Sequence, residues 1–277
     1  MPARSRFAAS IAGALIALAL VAGCTGERPS LGDAPTTTVP RLSQLIPKDG
    51  VTSTTAATTS VVASTAAPAA LNPTTLQGFI ATPSGTPVVH TAPSDTSPPI
   101  SVGAKTEAGA PTTFAIVGDP TTVTDGWYQV VLPTRPNGGV GWVPANSVTV
   151  SKTPFRVFVD LTKRTLRVER DGVQVFEAPV AIGTTTNPTP TGASYVTELI
   201  DNANPKGSYG PYAFGLALHS DTLTEFAGGP GQVGIHGTNQ PQLIGQAVSH
   251  GCVRLKNADV EAMVNLQLPL GVPVFIS

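Results

Sequence analysis

Cys252 sits in Ser249-His250-Gly251-Cys252-Val253-Arg254 and is one of two cysteines in the chain, the other being Cys24. A lone thiol in the part of the chain that reads as folded calls for an explanation, and nucleophilic catalysis is one. Acyl transfer through a covalent intermediate needs a nucleophile, a base and hydrogen-bond donors for an oxyanion. Residue types for all three are at hand. His250 flanks the thiol and His236 precedes it; a neighbouring imidazole lowers a thiol pKa and holds a thiolate–imidazolium pair. Gly251 lets the backbone turn sharply, so that successive N–H groups converge on one oxygen. On these residues alone the segment reads as a cysteine acyl-enzyme, with a buried, inert cysteine as the alternative. His236, His250 and Cys252 would also supply three zinc ligands. However, His250 and Cys252 are separated by one residue, and no nearby carboxylate completes the set, so neither a metal nor any other cofactor is expected.

The wider pattern carries a resemblance. Ile235-His236-Gly237-Thr238-Asn239, followed by Ile244 to Leu255 around Ser249-His250-Gly251-Cys252, resembles the L,D-transpeptidases with a YkuD-type catalytic domain. That family has a His-Gly stretch, then Ser/Thr-His/Lys-Gly-Cys, with Arg or Asn two positions on. Arg156 to Leu161, Gly172, Val180-Ala181-Ile182-Gly183 and Thr189-Pro190-Thr191-Gly192 are similar to the family's opening strands and its Thr-Pro-x-Gly loop. The resemblance spans 155–277.

The resemblance implies that Cys252 attacks the carbonyl of the third residue of a peptidoglycan tetrapeptide stem and expels the terminal D-alanine. His236 would act as base and then acid. The carbonyl of Gly237 would orient it, in the place of the Asp or Asn of other triads. The N–H groups of His250, Gly251 and Cys252 would form the oxyanion hole. Attack on the thioester by the side-chain amine of a neighbouring stem would give a 3→3 cross-link. Water in place of the amine would make the protein an L,D-carboxypeptidase. A non-catalytic wall-binding lipoprotein is the reading from another class, and intact Cys252, His236 and Arg254 argue against it.

Arg254, Ser249 and Tyr212 are the expected substrate-binding residues. Arg254 lies on the side of Cys252 if the segment is extended, where it would hold a carboxylate or instead bridge to a loop. Ser249 would also bond within the turn. Tyr209 and Tyr212 fall where the family has a substrate-facing lid, and Tyr212 is favoured. His250 is expected to pack beside the cysteine, and His219 to be structural or rim-lining.

The elements that must position these residues are short and β-prone. The chain has 277 residues, a net charge of -1, only 12% charged residues, 28 Gly and 27 Pro. That balance fits β modules and linkers and gives no basic excess for a nucleic acid. The fold expected is mainly β: a small SH3-like barrel followed by a β-rich catalytic domain with one or two short helices.

Arg4 and Arg6, the apolar run Phe7–Val21 and Val21-Ala22-Gly23-Cys24 resemble a bacterial lipoprotein signal over 1–23, with Cys24 as the lipidated residue. The Thr/Ala/Pro-rich stretch 24–73 reads as a disordered tether. In 74–150, Gly126-Trp127-Tyr128-Gln129-Val130 and Gly141-Trp142-Val143 flank the turn Pro136-Asn137-Gly138-Gly139, which resembles a bacterial SH3-like hairpin. Its two tryptophans are core residues or part of a wall-binding groove. In 154–277, strands surround the turn Asp171-Gly172, and helices are expected over 242–247 and 258–266, the second with Asn257 as N-cap. A monomer is expected, anchored to the membrane at Cys24, facing the wall or periplasm, with peptidoglycan stem peptides as partners.

Overall fold

The computed structural model describes residues 71–277, Ala227 apart. The signal 1–23, Cys24 and nearly all of the tether lie outside the described residues. Five short strands come first: β1 (Phe79–Pro83), β2 (Phe114–Ala115), β3 (Trp127–Val131), β4 (Val140–Pro144) and β5 (Val148–Lys152). β2, β1 and β5 form an antiparallel sheet, and β3 and β4 form a hairpin. The hairpin turns where its sequence requires: Gly138 takes φ 73°, and Gly139 N–H donates to Pro136 O at 3.1 Å. Trp127 is buried edge-on to His90, with ring centroids 5.4 Å apart, and Trp142 is half-buried.

The remainder contains β6 (Phe155–Asp160), β7 (Thr165–Arg170), β8 (Val173–Pro179), β9 (Ile182–Gly183), β10 (Gly192–Asp201), β11 (Tyr212–His219), β12 (Gln232–His236), β13 (Ala247–Ser249), β14 (Val253–Arg254) and β15 (Pro273–Ile276). Among the described residues there is one α-helix, α1 (Asn257–Asn265). Eight strands make one sheet in the order β14-β12-β11-β10-β15-β6-β7-β8, and β9 pairs with β13 beside it. The mainly β class follows from alternation: Phe155, Val157 and Val159 of β6 are buried while their neighbours are less so. Each such side chain contributes roughly 1.5–3 kcal/mol of burial. Asp171 and Gly172, at φ 51° and 79°, close the β7–β8 hairpin.

β10 changes partners along its length. Gly192 to Tyr195 pair with β15, Val196 to Asp201 pair with β11, and a bulge falls between Val196 and Glu198. The sheet bends there and encloses a core built on Val157, Leu166, Val168, Leu216, Ile235, Val253 and Met263. A second apolar cluster joins Leu76, Ala115 and Val131 of the first strands to Ala193, Tyr195, Ala217 and Phe275 of the sheet. Polar bonds reinforce it. Arg135 donates to the carbonyls of Ser220 (2.6 Å), Leu223 (3.1 Å) and Pro230 (3.0 Å). Asn137 donates to His219 O at 2.7 Å and accepts from His219 N–H at 2.8 Å.

Three local expectations need correction. Residues 242–247 do not form an α-helix. A single 3₁₀ turn, Pro241–Leu243, stops before Gly245 at φ 88°, and β13 follows. Of Val180-Ala181-Ile182-Gly183, likened above to an opening strand, only Ile182–Gly183 forms one, β9. Asn257 is the first residue of α1 rather than its cap, which is Lys256, and its side chain is engaged elsewhere.

Candidate active site

His236 ends β12. Val233 and Ile235 of that strand lie in the core, so Gln232, Gly234 and His236 face the other way. His236 Nδ1 lies 2.6 Å from Gly237 O. A carbonyl only accepts, so Nδ1 carries the proton and Nε2 keeps a free lone pair. The carbonyl is held in place by close packing. Gly237 N–H donates to Tyr212 O at 3.2 Å. A Cβ at Gly237 would come within 2.5 Å of Asn257 Oδ1 and 3.0 Å of Gly210 Cα. The same Asn257 Oδ1 accepts from Thr238 N–H at 2.8 Å. Burial pushes the His236 pKa down to about 4, opposed by the Gly237 bond and assisted by the Arg254 charge.

β12 runs parallel to β14, with His236 opposite Arg254, and this brings the Cys252 loop beside the imidazole strand. Ser249 Oγ donates to Cys252 O at 2.6 Å and accepts from Gly251 N–H at 3.1 Å. Ser249 is 1% exposed. It therefore acts as a clamp inside the turn: its proton is given to Cys252 O, and its burial leaves almost no surface for a substrate. Gly251, at φ 121°, makes the turn possible, but its N–H is committed to Ser249 and does not point at a substrate. The N–H groups of His250 and Cys252 have no acceptor among the described residues.

The Cys252 thiol is partly buried. Burial raises its pKa, while Gly234 N–H and Arg254 pull the other way. Burial thus acts on both groups in the direction of their neutral forms, lowering the imidazole and raising the thiol.

Cys252, His236, Gly234 and Tyr209 line one cavity of about 280 Å³, together with Phe226, Glu198 and Glu107. Tyr209 stands over His236, ring centroids 4.7 Å apart. Burial and the neighbouring Cys252 raise its hydroxyl pKa. Tyr212, expected at the substrate, packs instead against the main core, because it shares a face of β11 with Phe214, Leu216 and Leu218. His250 is exposed and lies against Phe226 at 5.2 Å. Arg254 is anchored by main-chain bonds to Ala181 in both directions (2.8 and 2.9 Å), and its buried Nε has no hydrogen-bond partner among the described residues. His219 is buried and lines the adjoining cavity with Thr197 and Gln232, away from Cys252. Among the described residues no three His, Cys, Asp or Glu side chains come together as a metal site.

The family model for the L,D-transpeptidase catalytic domain, YkuD, matches residues 154–276. A putative L,D-transpeptidase YkuD of Bacillus licheniformis is 37% identical over 157 residues, covering 54% of this chain and 86% of that protein. The chain belongs to the L,D-transpeptidase family. The Bacillus subtilis putative L,D-transpeptidase YkuD is 32% identical over 124 residues, 45% of this chain and 66% of that one. Among solved structures, an L,D-transpeptidase from Mycobacterium tuberculosis aligns with a TM-score of 0.40 at 16% identity, over 71% of this chain and 95% of that one. The catalytic domain of the Enterococcus faecium L,D-transpeptidase aligns with a TM-score of 0.33 at 25% identity, over 44% and 95%. L,D-transpeptidases act on peptidoglycan peptides, and membership makes this chain a peptidoglycan-modifying enzyme.

Sequence reasoning missed Tyr209 as the ring over His236, Gly234 as a donor to the thiol, and Asn257 as the brace behind Gly237. It also missed both cavity carboxylates. For Tyr209 a signal was present: Gly210 and Gly237 are glycines whose close approach sets the lid, but their contact joins residues far apart in sequence.

Proposed function

We propose that this family member is a peptidoglycan L,D-transpeptidase that forms 3→3 cross-links through a Cys252 thioester. The observation that carries the reading is a single cavity holding Cys252 and a histidine whose Nδ1 is tied to a carbonyl, leaving Nε2 as the base. Nε2 of His236 takes the Sγ proton as sulfur attacks the carbonyl of the third stem residue. The low imidazole pKa keeps Nε2 unprotonated at neutral pH, and the raised thiol pKa means that the proton leaves in step with attack. Such base assistance is worth roughly 10²- to 10⁴-fold. The N–H groups of Cys252 and His250 receive the oxyanion. His236 then protonates the departing D-alanine amine, and the amine of a neighbouring stem resolves the thioester. Arg254, with its unpaired Nε, holds a substrate carboxylate.

In this reading 154–277 is the catalytic unit and 74–150 an SH3-like module. Cys24 carries the lipid that holds the monomer outside the cytoplasmic membrane, facing the wall on the 24–73 tether.

Incubation with a disaccharide-tetrapeptide, followed by product mass, tests the reaction. Free D-alanine and 3→3 dimers are expected. Tripeptide without dimer would make the protein an L,D-carboxypeptidase, and no product from folded protein would leave only a wall-binding role.

A further inference from the structure

Glu198 is not where strand alternation would put it. Val196 packs in the main core, so two residues on, a regular β10 would bury Glu198 there as well. The bulge between them re-aims the carboxylate, and it lines the cavity that holds Cys252 and His236. Glu198 is 3% exposed, and its Oε2 has no hydrogen-bond partner among the described residues. Room for it is made by the residue directly across the sheet, Gly215, where a Cβ would lie 2.6 Å from Glu198 Oε1. A buried carboxyl oxygen without a hydrogen-bond partner is costly, and a donor bound in the cavity would offset that cost. Glu107 lines the same cavity from a turn of the N-terminal strands, closed by the bond from Thr106 N–H to Ala110 O at 2.9 Å. Neither Lys nor Arg lines this cavity among the described residues, and its histidine is held neutral. Arg254 acts on His236, Cys252 and Tyr209 through its charge without lining the cavity, so the acidic side chains of the lining itself are Glu198 and Glu107.

We propose that Glu198, with Glu107 at the rim, forms the subsite that receives the ammonium group of the acceptor stem. The inference rests on the Cys252 acyl-enzyme reading above. The ammonium loses one proton to water and becomes a neutral amine. Its nitrogen attacks the thioester carbonyl, so that the C–N bond forms and the C–S bond breaks. The second proton passes through His236 Nε2 to Sγ, and the products are an amide and the free thiol. The carboxylates make no bond to the reacting carbon; they bind and place the amine. One of them comes from the N-terminal strands, which therefore take part in the choice between amine and water.

The test uses the full chain with disaccharide-tetrapeptide as donor and acceptor, following D-alanine, tripeptide and 3→3 dimer together. For Glu198→Gln, the dimer-to-tripeptide ratio is expected to fall roughly tenfold or more through loss of a charge-assisted contact. Glu107→Gln shifts the ratio the same way by less, with a raised acceptor KM. A merely structural role for Glu198 would lower dimer and tripeptide in proportion and leave their ratio unchanged, and that result would overturn the proposal. Equal ratios in wild type and both variants would also overturn it, as would wild-type protein that releases D-alanine yet forms no dimer. Absence of D-alanine release by wild type is a different failure, that of the acyl-enzyme reading, and takes this one with it. If Glu198→Gln does not fold by circular dichroism, the exposed Glu107→Gln decides: an unchanged acceptor KM counts against the subsite.

Discussion

The imidazole of His236 is pressed between two demands, a place in a buried site and the freedom to accept a proton. Its pKa falls from an ordinary 6.5 to about 4 because the charged form is desolvated. The consequence for stability has a definite sign. Between these two values the unfolded chain binds a proton at His236 that the folded chain does not, so acid favours unfolding. Stability should therefore be level with respect to this group above pH 6.5 and fall by about 3 kcal/mol as pH drops to about 4. Urea denaturation of wild type and His236→Gln across that range checks it: the variant should lose most of the slope. An equal slope in both proteins would mean that the imidazole is not buried as described.

Residue types proposed Cys252 and a histidine, and the family resemblance added His236 as base with the Gly237 carbonyl behind it; Cys252 and His236 share one cavity, and Nδ1 of His236 lies against Gly237 O. Ser249 and Tyr212 did not yield to such reading, because hydroxyls and rings are assigned by what they face. One faces its own turn and the other the core.

Elements set the precision of the site. The lid segment reaches His236 through glycine on glycine: Gly210, at φ 64°, lies against Gly237, and a Cβ on either would strike Asn257 Oδ1. Asn202 Nδ2 donates to Gly210 O at 3.0 Å and fastens the segment's base. Gly237→Ala should cost about 1–3 kcal/mol as overpacking and displace Tyr209 from the imidazole. Thermal melting and the rate of Cys252 acylation would show it as a lower Tm with slower acylation. A variant with wild-type acylation would mean that the Gly237 peptide does not orient the base. Strands and hairpins were legible from alternation and turn residues, as at Asp171-Gly172. The bulge in β10 was not, since it breaks the alternation by which strands are read. Asn257 misled for a related reason. It is a good capping residue before a first turn that contains Asp259, yet Thr238 N–H takes its oxygen.

For the molecule as a whole, the N-terminal strands are more than a neighbour of the catalytic sheet. Arg135 reaches three carbonyls in the segment that carries Phe226, which lies against His250 and lines the cavity with Cys252. Arg135→Ala should loosen that segment while leaving the main core intact. Hydrogen exchange is expected to rise between residues 220 and 231 and to stay unchanged in β6 and β7; uniform exchange would show that the apolar cluster around Leu76 and Tyr195 holds the segment without help. None of this was visible in the sequence, because the bonds join positions more than 80 residues apart through main-chain carbonyls, which have no residue signature.

In the proposed mechanism Cys252 becomes acylated with His236 as its base. Intact-protein mass spectrometry after mixing with a carbapenem tests it most directly. Wild type should gain one covalent adduct that maps to the Cys252 peptide, His236→Gln should gain it far more slowly, and Cys252→Ala should not gain it. A folded wild type without an adduct, or an adduct that persists in Cys252→Ala, would contradict the account.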